Sequence, residues 1–467
     1  MTKEVAGSTA PGLPQGHAFQ QGDAFPQGHT FPQDHALPQE HASPTLADEL
    51  LPEAELIEPS PPPVAAAGLP RWWLAVVLVL VSINLRPALS SVGSVLQELM
   101  GDTGASATFA SVLTTLPVLC LGAFGLTAPP LARRFGTERV VLVILLVMAA
   151  GLSLRLFPSF LPLLGSAIIA GASIGIIGVL MPGLVKRDFP RHASLMTGVY
   201  TMALCAGGAL GAGATVPLAR AFDSWPAALA FWAVPAVLAA ILWWPSIPKR
   251  RADQPKPVQY AVTGLWRDRL AWQVTLFTGL QSLLAYIVLA WLIQILRDRG
   301  LDPLTAGLTV SGSVLAQVPA ALIAPILAAR RRDQRGMIIL IMSMGLVGML
   351  GCLFAPLSTV AIWALLLGVG QGGNFALALL TIVLRSPDSH VAARLSSMAQ
   401  SVGYTLAATG PFATGLLHSW TGSWDSVALL YLGVTIAGMA FGLGAGRARH
   451  VNVTVTPLPQ KTTSPRA

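Results

Sequence analysis

The chain has 467 residues, 53% of them hydrophobic and 11% charged, with mean hydropathy +0.64 and a formal net charge of +8. A soluble domain carries about a quarter charged residues, so this composition excludes a water-soluble globular enzyme. The basic excess does not require nucleic acid as a partner, because in a membrane protein it marks the loops on one side of the bilayer.

Residues 1–70 differ from the rest. From Gln15 a hexapeptide recurs, restarting at Gln21, Gln27, Gln33 and Gln39, with His17, His29, His35 and His41 at its third position. A polar, Pro-rich unit with at most one large apolar residue cannot offset its ordering entropy, so a disordered cytoplasmic tail is expected. Imidazoles suit Zn, Cu or Ni, but nothing here fixes ligand geometry, and no metal or other cofactor is assigned. Cys120, Cys205 and Cys352 fall inside apolar runs without paired spacing, which excludes a disulfide framework and a thiolate metal site.

From Arg71 to Gly446 the chain is a succession of apolar runs, each able to cross a hydrocarbon core of about 30 Å with roughly 20 residues. Twelve are expected, near 72–92, 108–130, 138–157, 161–185, 194–219, 226–247, 271–295, 303–329, 336–355, 358–384, 391–417 and 426–446. They must be helical, since lipid offers the backbone no partners and the runs lack the alternation of an outer-membrane barrel. The fold class is therefore an all-α polytopic membrane protein of twelve transmembrane helices. Its expected parts are a half over 71–247, a basic linker over 248–269, a second half over 270–446 and a tail over 447–467.

Charge sets the orientation. With the first run crossing outward, the inner connectors collect Arg71, Arg133, Arg134, Arg139, Lys186, Arg187, Arg191, the linker cations, Arg330 to Arg332, Arg335, Arg385, Arg394 and the tail cations. The outer connectors hold only Arg220, Arg297 and Arg299, so both termini are expected in the cytoplasm. The halves also repeat. Pro129 and Arg134 match Pro325 and Arg330 at an offset of 196, and Lys186 and Gly211 match Arg385 and Gly410 at 199. Two parallel six-helix pseudo-repeats place a solute site between the halves, near the midplane.

A charge inside a span costs about 2.5 to 3.5 kcal/mol on insertion scales. Arg86 is the clearest case, roughly 22 Å into the first run at 1.5 Å per residue and just before Pro87, which removes a backbone donor. Its planar guanidinium suits a carboxylate-like or linear oxyanion; the alternative is an Arg anchored to carbonyls or headgroups. Arg155 stands near a span end, where it can snorkel. The spans hold no central Asp, Glu or His, so no intramembrane proton relay is visible. Asn84 precedes Arg86, and Gln281, Tyr286, Gln371, Asn374, Gln400 and Tyr404 interrupt later spans, several at helical spacing. They either orient a solute or bond helix to helix. Gly171, Gly175, Gly178, Gly207 and Gly211 have the spacing of close helix packing. No phosphate loop, metalloprotease helix or nucleophile elbow is present, so the chain is not read as an enzyme.

Four stretches then resemble a known family: Asn84-Leu-Arg-Pro-Ala-Leu-Ser-Ser-Val-Gly, Gly279-Leu-Gln-Ser-Leu-Leu-Ala-Tyr with Trp291, Leu195-Met-Thr-Gly, and Met398-Ala-Gln-Ser-Val-Gly-Tyr. They are similar to the cyanate and nitroimidazole permease branch of the major facilitator superfamily, over essentially the whole chain from Arg71 to Arg447. The resemblance implies an inner-membrane secondary transporter of a small polar or anionic solute, acting by alternating access as a monomer in the lipid bilayer. Residues matching Arg86, Gln281 and Tyr404 are then cavity residues. The superfamily's loop signature is degenerate here, since Arg133-Arg134-Phe-Gly136 has Arg where Asp belongs. An exporter of neutral or aromatic compounds is the alternative, and a non-transporting membrane sensor is the alternative of another class.

Overall fold

The computed structural model describes residues 69–247 and 260–457. The hexapeptide tail, the first part of the linker and residues 458–467 lie outside the described residues. The first half holds α1 (Arg71–Leu85), α2 (Pro87–Ser94), α3 (Leu96–Thr103), α4 (Ala107–Gly125), α5 (Ala128–Phe135), α6 (Thr137–Ser153), α7 (Phe160–Asp188), α8 (Ala193–Ala221), α9 (Trp225–Phe231) and α10 (Ala233–Trp243). After β1 (Tyr260–Thr263), the second half holds α11 (Arg269–Asp298), α12 (Pro303–Ala329), α13 (Arg335–Phe354) and α14 (Val360–Arg385). It continues through α15 (Ser389–Ala407), α16 (Thr409–Thr421) and α17 (Asp425–Ala445) to β2 (Thr454–Pro457).

Every expected crossing is met by a helix or a broken helix. Among the described residues ten rods are long and apolar enough to span a bilayer, and α4 with α5 makes an eleventh, bent by 53°. The remaining crossing is α15 with α16, whose Ser396, Ser397, Gln400 and Ser401 are buried against protein, so its low apolarity never meets lipid. The breaks follow proline chemistry: Pro87 begins α2, and Pro129 stands in the first turn of α5. Carboxylates at span ends act as caps. Asp268 accepts from Ala271 N at 2.7 Å, Asp302 from Thr305 N at 3.0 Å and Asp388 from Val391 N at 2.8 Å.

The sequence repeat is a packing repeat. A Cβ on Gly171 or Gly175 of α7 would stand 2.4 or 2.5 Å from the carbonyl oxygen of Pro117 or Leu121 in α4. In the second half the same clash, at 2.0 and 2.3 Å, joins Gly368 and Gly372 of α14 to Ser313 and Gln317 of α12. Each residue pair lies 196 or 197 positions after its counterpart. Likewise Gly211 of α8 rests on Pro87, and Gly410 of α16 rests on Leu283. Small residues let the backbones approach where lipid supplies no hydrophobic drive between helices.

The halves meet near the basic end. Lys186 Nζ donates to Val383 O at 3.2 Å, Ser397 Oγ to Gly125 O at 3.1 Å and Gln400 Nε2 to Gly178 O at 3.1 Å. In the same zone a Cβ on Gly198 would reach Leu322 O at 2.8 Å. Beside the degenerate loop signature, the tie that forms is between Arg187 and Glu138, at 2.5 Å, with Asp188 on the same guanidinium at 2.7 Å. It fixes the start of α6 to the end of α7.

Linker and tail, which the sequence presents as separate connectors, meet in a two-stranded antiparallel sheet with Tyr260 opposite Pro457 and Thr263 opposite Thr454. The segment before β2 is docked on the bundle. Val451 N donates to Arg385 O at 2.9 Å, Asn452 N to Asp268 Oδ2 at 3.1 Å, and the Arg385 guanidinium to Arg447 O and Gln334 Oε1. Burial, with the cations Lys186 and Arg385, pushes the His450 imidazole below its ordinary value. As pH falls through that ordinary value, about 6.5, an undocked tail takes up the proton first, so docking weakens over the range from about pH 7 downward. Hydrogen exchange at the Val451 amide, corrected for its intrinsic rate, should speed up over that range. His450→Gln should remove the dependence.

Candidate functional site

Arg86 joins α1 to α2 with near-helical backbone, φ −86° and ψ −33°. Because Pro87 has no N–H, the carbonyl of Ile83 loses its helical donor, and Gly207 of α8 packs directly on that carbonyl. Gly208 leaves the room beside it, where a Cβ would touch Arg86 Cβ and Cδ at 3.6 and 3.7 Å. Two adjacent glycines and one proline thus place a cation in the middle of the first half.

The Arg86 side chain is half-buried and crosses to the other half, with its Cζ 4.6 Å from the centroid of the Phe375 ring in α14. Among the described residues its guanidinium has no hydrogen-bond acceptor and no carboxylate partner. Stacking on an aromatic face occupies the flat side of a guanidinium and leaves its in-plane N–H donors free. Its charge acts on the phenols of Tyr286 and Tyr404 and on the Cys205 thiol, and Tyr404 is also coupled to Tyr200. The arrangement offers free planar donors over an aromatic floor, with two phenols within electrostatic reach, and it can take a small planar or linear anion edge-on.

Arg155 is the contrast. Rather than snorkelling, it is 2% exposed and donates from Nε to Ser166 Oγ at 2.8 Å, from Nη1 to Ser91 Oγ at 3.2 Å and from Nη2 to Ala88 O at 2.7 Å. Polar groups from α2 and α7 surround it, so burial is offset locally and the outer surface is not needed. Arg155→Lys keeps the charge and loses the fork, and should lower unfolding stability in detergent by about 1–2 kcal/mol.

The other expected residues divide. Tyr286 and Tyr404 lie within electrostatic reach of Arg86. Asn84 turns back on its own helix, Nδ2 to Leu80 O at 2.6 Å. Gln281 is satisfied within α11 by Thr278 O at 3.1 Å and Ser282 Oγ at 2.7 Å. Gln400 bridges the halves through Gly178 and also donates to Ser396 Oγ at 2.7 Å. Gln371 accepts from Gln317 Nε2 at 3.3 Å, while its own Nε2 and Asn374 Oδ1 are buried without partners. Phe375, next in the chain to Asn374, was not anticipated; the available signal was a large aromatic within the only doubly amide-interrupted stretch of α14.

Known proteins match this chain along most of its length. The model of the Major Facilitator Superfamily matches residues 72–294 and 275–466. A Bacillus subtilis (strain 168) protein described as the uncharacterized transporter YycB is 37% identical over 383 residues, 81% of this chain and 95% of that protein. The 2-nitroimidazole transporter of Escherichia coli (strain K12) is 37% identical over 80% of this chain and 95% of its own. The cyanate transport protein CynX of the same organism is 33% identical over 79% and 97%. Among solved structures, the proton:xylose symporter XylE bound to 6-bromo-6-deoxy-D-glucose aligns with TM-score 0.66 over 82% of this chain and 97% of that one, at 13% identity, a likeness of fold alone.

Proposed function

The chain belongs to the major facilitator superfamily and is a multi-pass membrane transporter of solutes, and on that premise we propose that its cargo is a small planar or linear anion, or a strongly dipolar solute, of the cyanate, nitrate or nitroimidazole kind. The observation that carries this reading is the Arg86 guanidinium, stacked on Phe375 with its in-plane donors unclaimed by protein. An Arg that only anchored a helix would be bonded as Arg155 is. The names of the two Escherichia coli relatives support the same solute class, since cyanate is a small linear anion and a nitroimidazole is a planar dipole.

Carriage follows from the two halves rocking about this site. The hydrogen bonds that join them lie toward the basic end, and by the positive-inside rule that end, with both termini, faces the cytoplasm of the plasma membrane. The described state is then closed toward the cytoplasm. Among the described residues the one buried carboxylate is Glu138, paired to Arg187 at that end and far along the chain from Arg86. Any coupling would then use the solute's own proton, a peripheral carboxylate such as Glu138, or simply the solute gradient. One chain supplies both halves and both walls of the site, which suits a functional monomer. The second reading, export of neutral aromatic compounds, is favoured by the Phe375, Tyr286 and Tyr404 lining.

Flux of labelled cyanate, nitrate and 2-nitroimidazole into proteoliposomes decides between them. Saturable flux of cyanate, nitrate or 2-nitroimidazole, unaffected by an excess of a neutral aromatic that lacks a nitro group, supports the first reading. Flux restricted to neutral aromatics without a strongly dipolar group establishes the second, and ligand binding without any flux returns the sensor.

A further inference from the structure

A second basic site lies far from Arg86, at the end where the halves touch. A cavity of about 450 Å³ is lined by Ser194 from the first half and by Arg331, Arg332, Arg385, Arg449 and His450 from the second half and its docked tail. Its lining residues include four guanidinium groups and no carboxylate. Asp333, the acid beside them in sequence, is turned onto Arg335, accepting from its backbone N at 2.7 Å and from its Nε at 3.2 Å.

The site is built rather than incidental. Arg385 is 3% exposed, and although its terminal nitrogens hold the tail carbonyls and Gln334, its buried Nε has no partner. Ser194 is the second residue of the 29-residue α8, where backbone N–H groups lack intrahelical acceptors and the helix end is positive. The charge of Asp333 reaches Arg385, yet four guanidinium groups outnumber that one carboxylate, so they repel one another until an anion enters, and Arg forks match tetrahedral oxyanions.

The geometry points to a binding site for a phosphate-type oxyanion, supplied by an anionic phospholipid headgroup or by free phosphate, that clasps the two halves together at the basic end. The cavity is separate from the solute site, and its contacts come from both halves, so occupancy favours the state in which that end is closed. The clasp is independent of which solute is carried.

The test uses the full chain, purified in detergent for inorganic phosphate against chloride at matched ionic strength, and in nanodiscs of phosphatidylglycerol against phosphatidylcholine for the lipid. Arg332→Gln combined with Arg449→Gln removes two exposed cavity cations, and Arg330→Gln removes an exposed neighbour that does not line the cavity. We expect phosphate or phosphatidylglycerol to raise Tm by about 2 °C or more in the wild type and in Arg330→Gln, with most of the rise lost in the double variant. Maleimide labelling of Ser194→Cys should slow several-fold with the same ligand, the three native cysteines being buried. A rise with phosphatidylglycerol alone identifies the headgroup as the source, and a rise with phosphate alone identifies the free ion. No rise with either, or an equal rise in wild type and double variant, overturns the site.

Discussion

Arg86→Gln is expected to lower kcat/KM for an anionic solute by about 10- to 100-fold, the loss of one or two hydrogen bonds to a charge. Folding should be almost untouched, because the guanidinium makes no hydrogen bond to the protein and only its stacking on Phe375 is altered. Arg86→Lys separates charge from shape. A point charge retains steering but not the bidentate edge, so its flux should fall between wild type and Gln. Transport measured in proteoliposomes, with Tm measured in parallel, reports both quantities. Unchanged anion flux in Arg86→Gln sinks the assignment, and equal loss of flux and fold would make Arg86 an anchor like Arg155.

Gly198→Val should shift the balance between the two faces of the transporter. Its Cβ would meet Leu322 O at 2.8 Å, across the boundary between halves, so the side chain must separate α8 from α12 at the basic end. Overpacking of this kind costs about 1–3 kcal/mol, and here the cost falls only on the state in which that end is closed. The closed state should lose population by about 5- to 150-fold relative to the open one. Gly207→Val is the control, since its clash with Ile83 O lies inside the first half and persists in every state. It should reduce folded yield without changing the conformational balance. Labelling of Ser389→Cys, whose backbone oxygen faces Gly183 across the same boundary, measures the opening. Faster labelling in Gly207→Val but not in Gly198→Val would refute the argument.

The architecture was readable from the sequence because membrane folds are constrained by few variables. Apolar length gives the crossings, and the nearly constant offset, 196 between Pro129 and Pro325 and 199 between Gly211 and Gly410, gives the parallel repeat. What hydropathy could not supply was the breaks: α15 and α16 make a crossing too polar to stand alone, because its serines face helices of the other half. The polar residues show the same limit. Spacing put Gln281 beside Thr278 and Gln400 beside Ser396 on a shared face, yet it cannot say whether a partner on that face is a solute, a neighbour or the residue's own helix. Gln281 took its own helix, and Gln400 took Gly178. Phe375 escaped notice because an aromatic in an apolar run carries no cost to flag it, whereas Arg86 does.

The pairing of β1 with β2 changes what the linker is. Residues 260–263 are paired with 454–457, so the strand that leads into the second half is held by that half's own tail. Where the two halves touch, Lys186, Ser397 and Gln400 bond across the boundary and Gly198 packs against Leu322, so a shift of one half is felt by the other through these four residues.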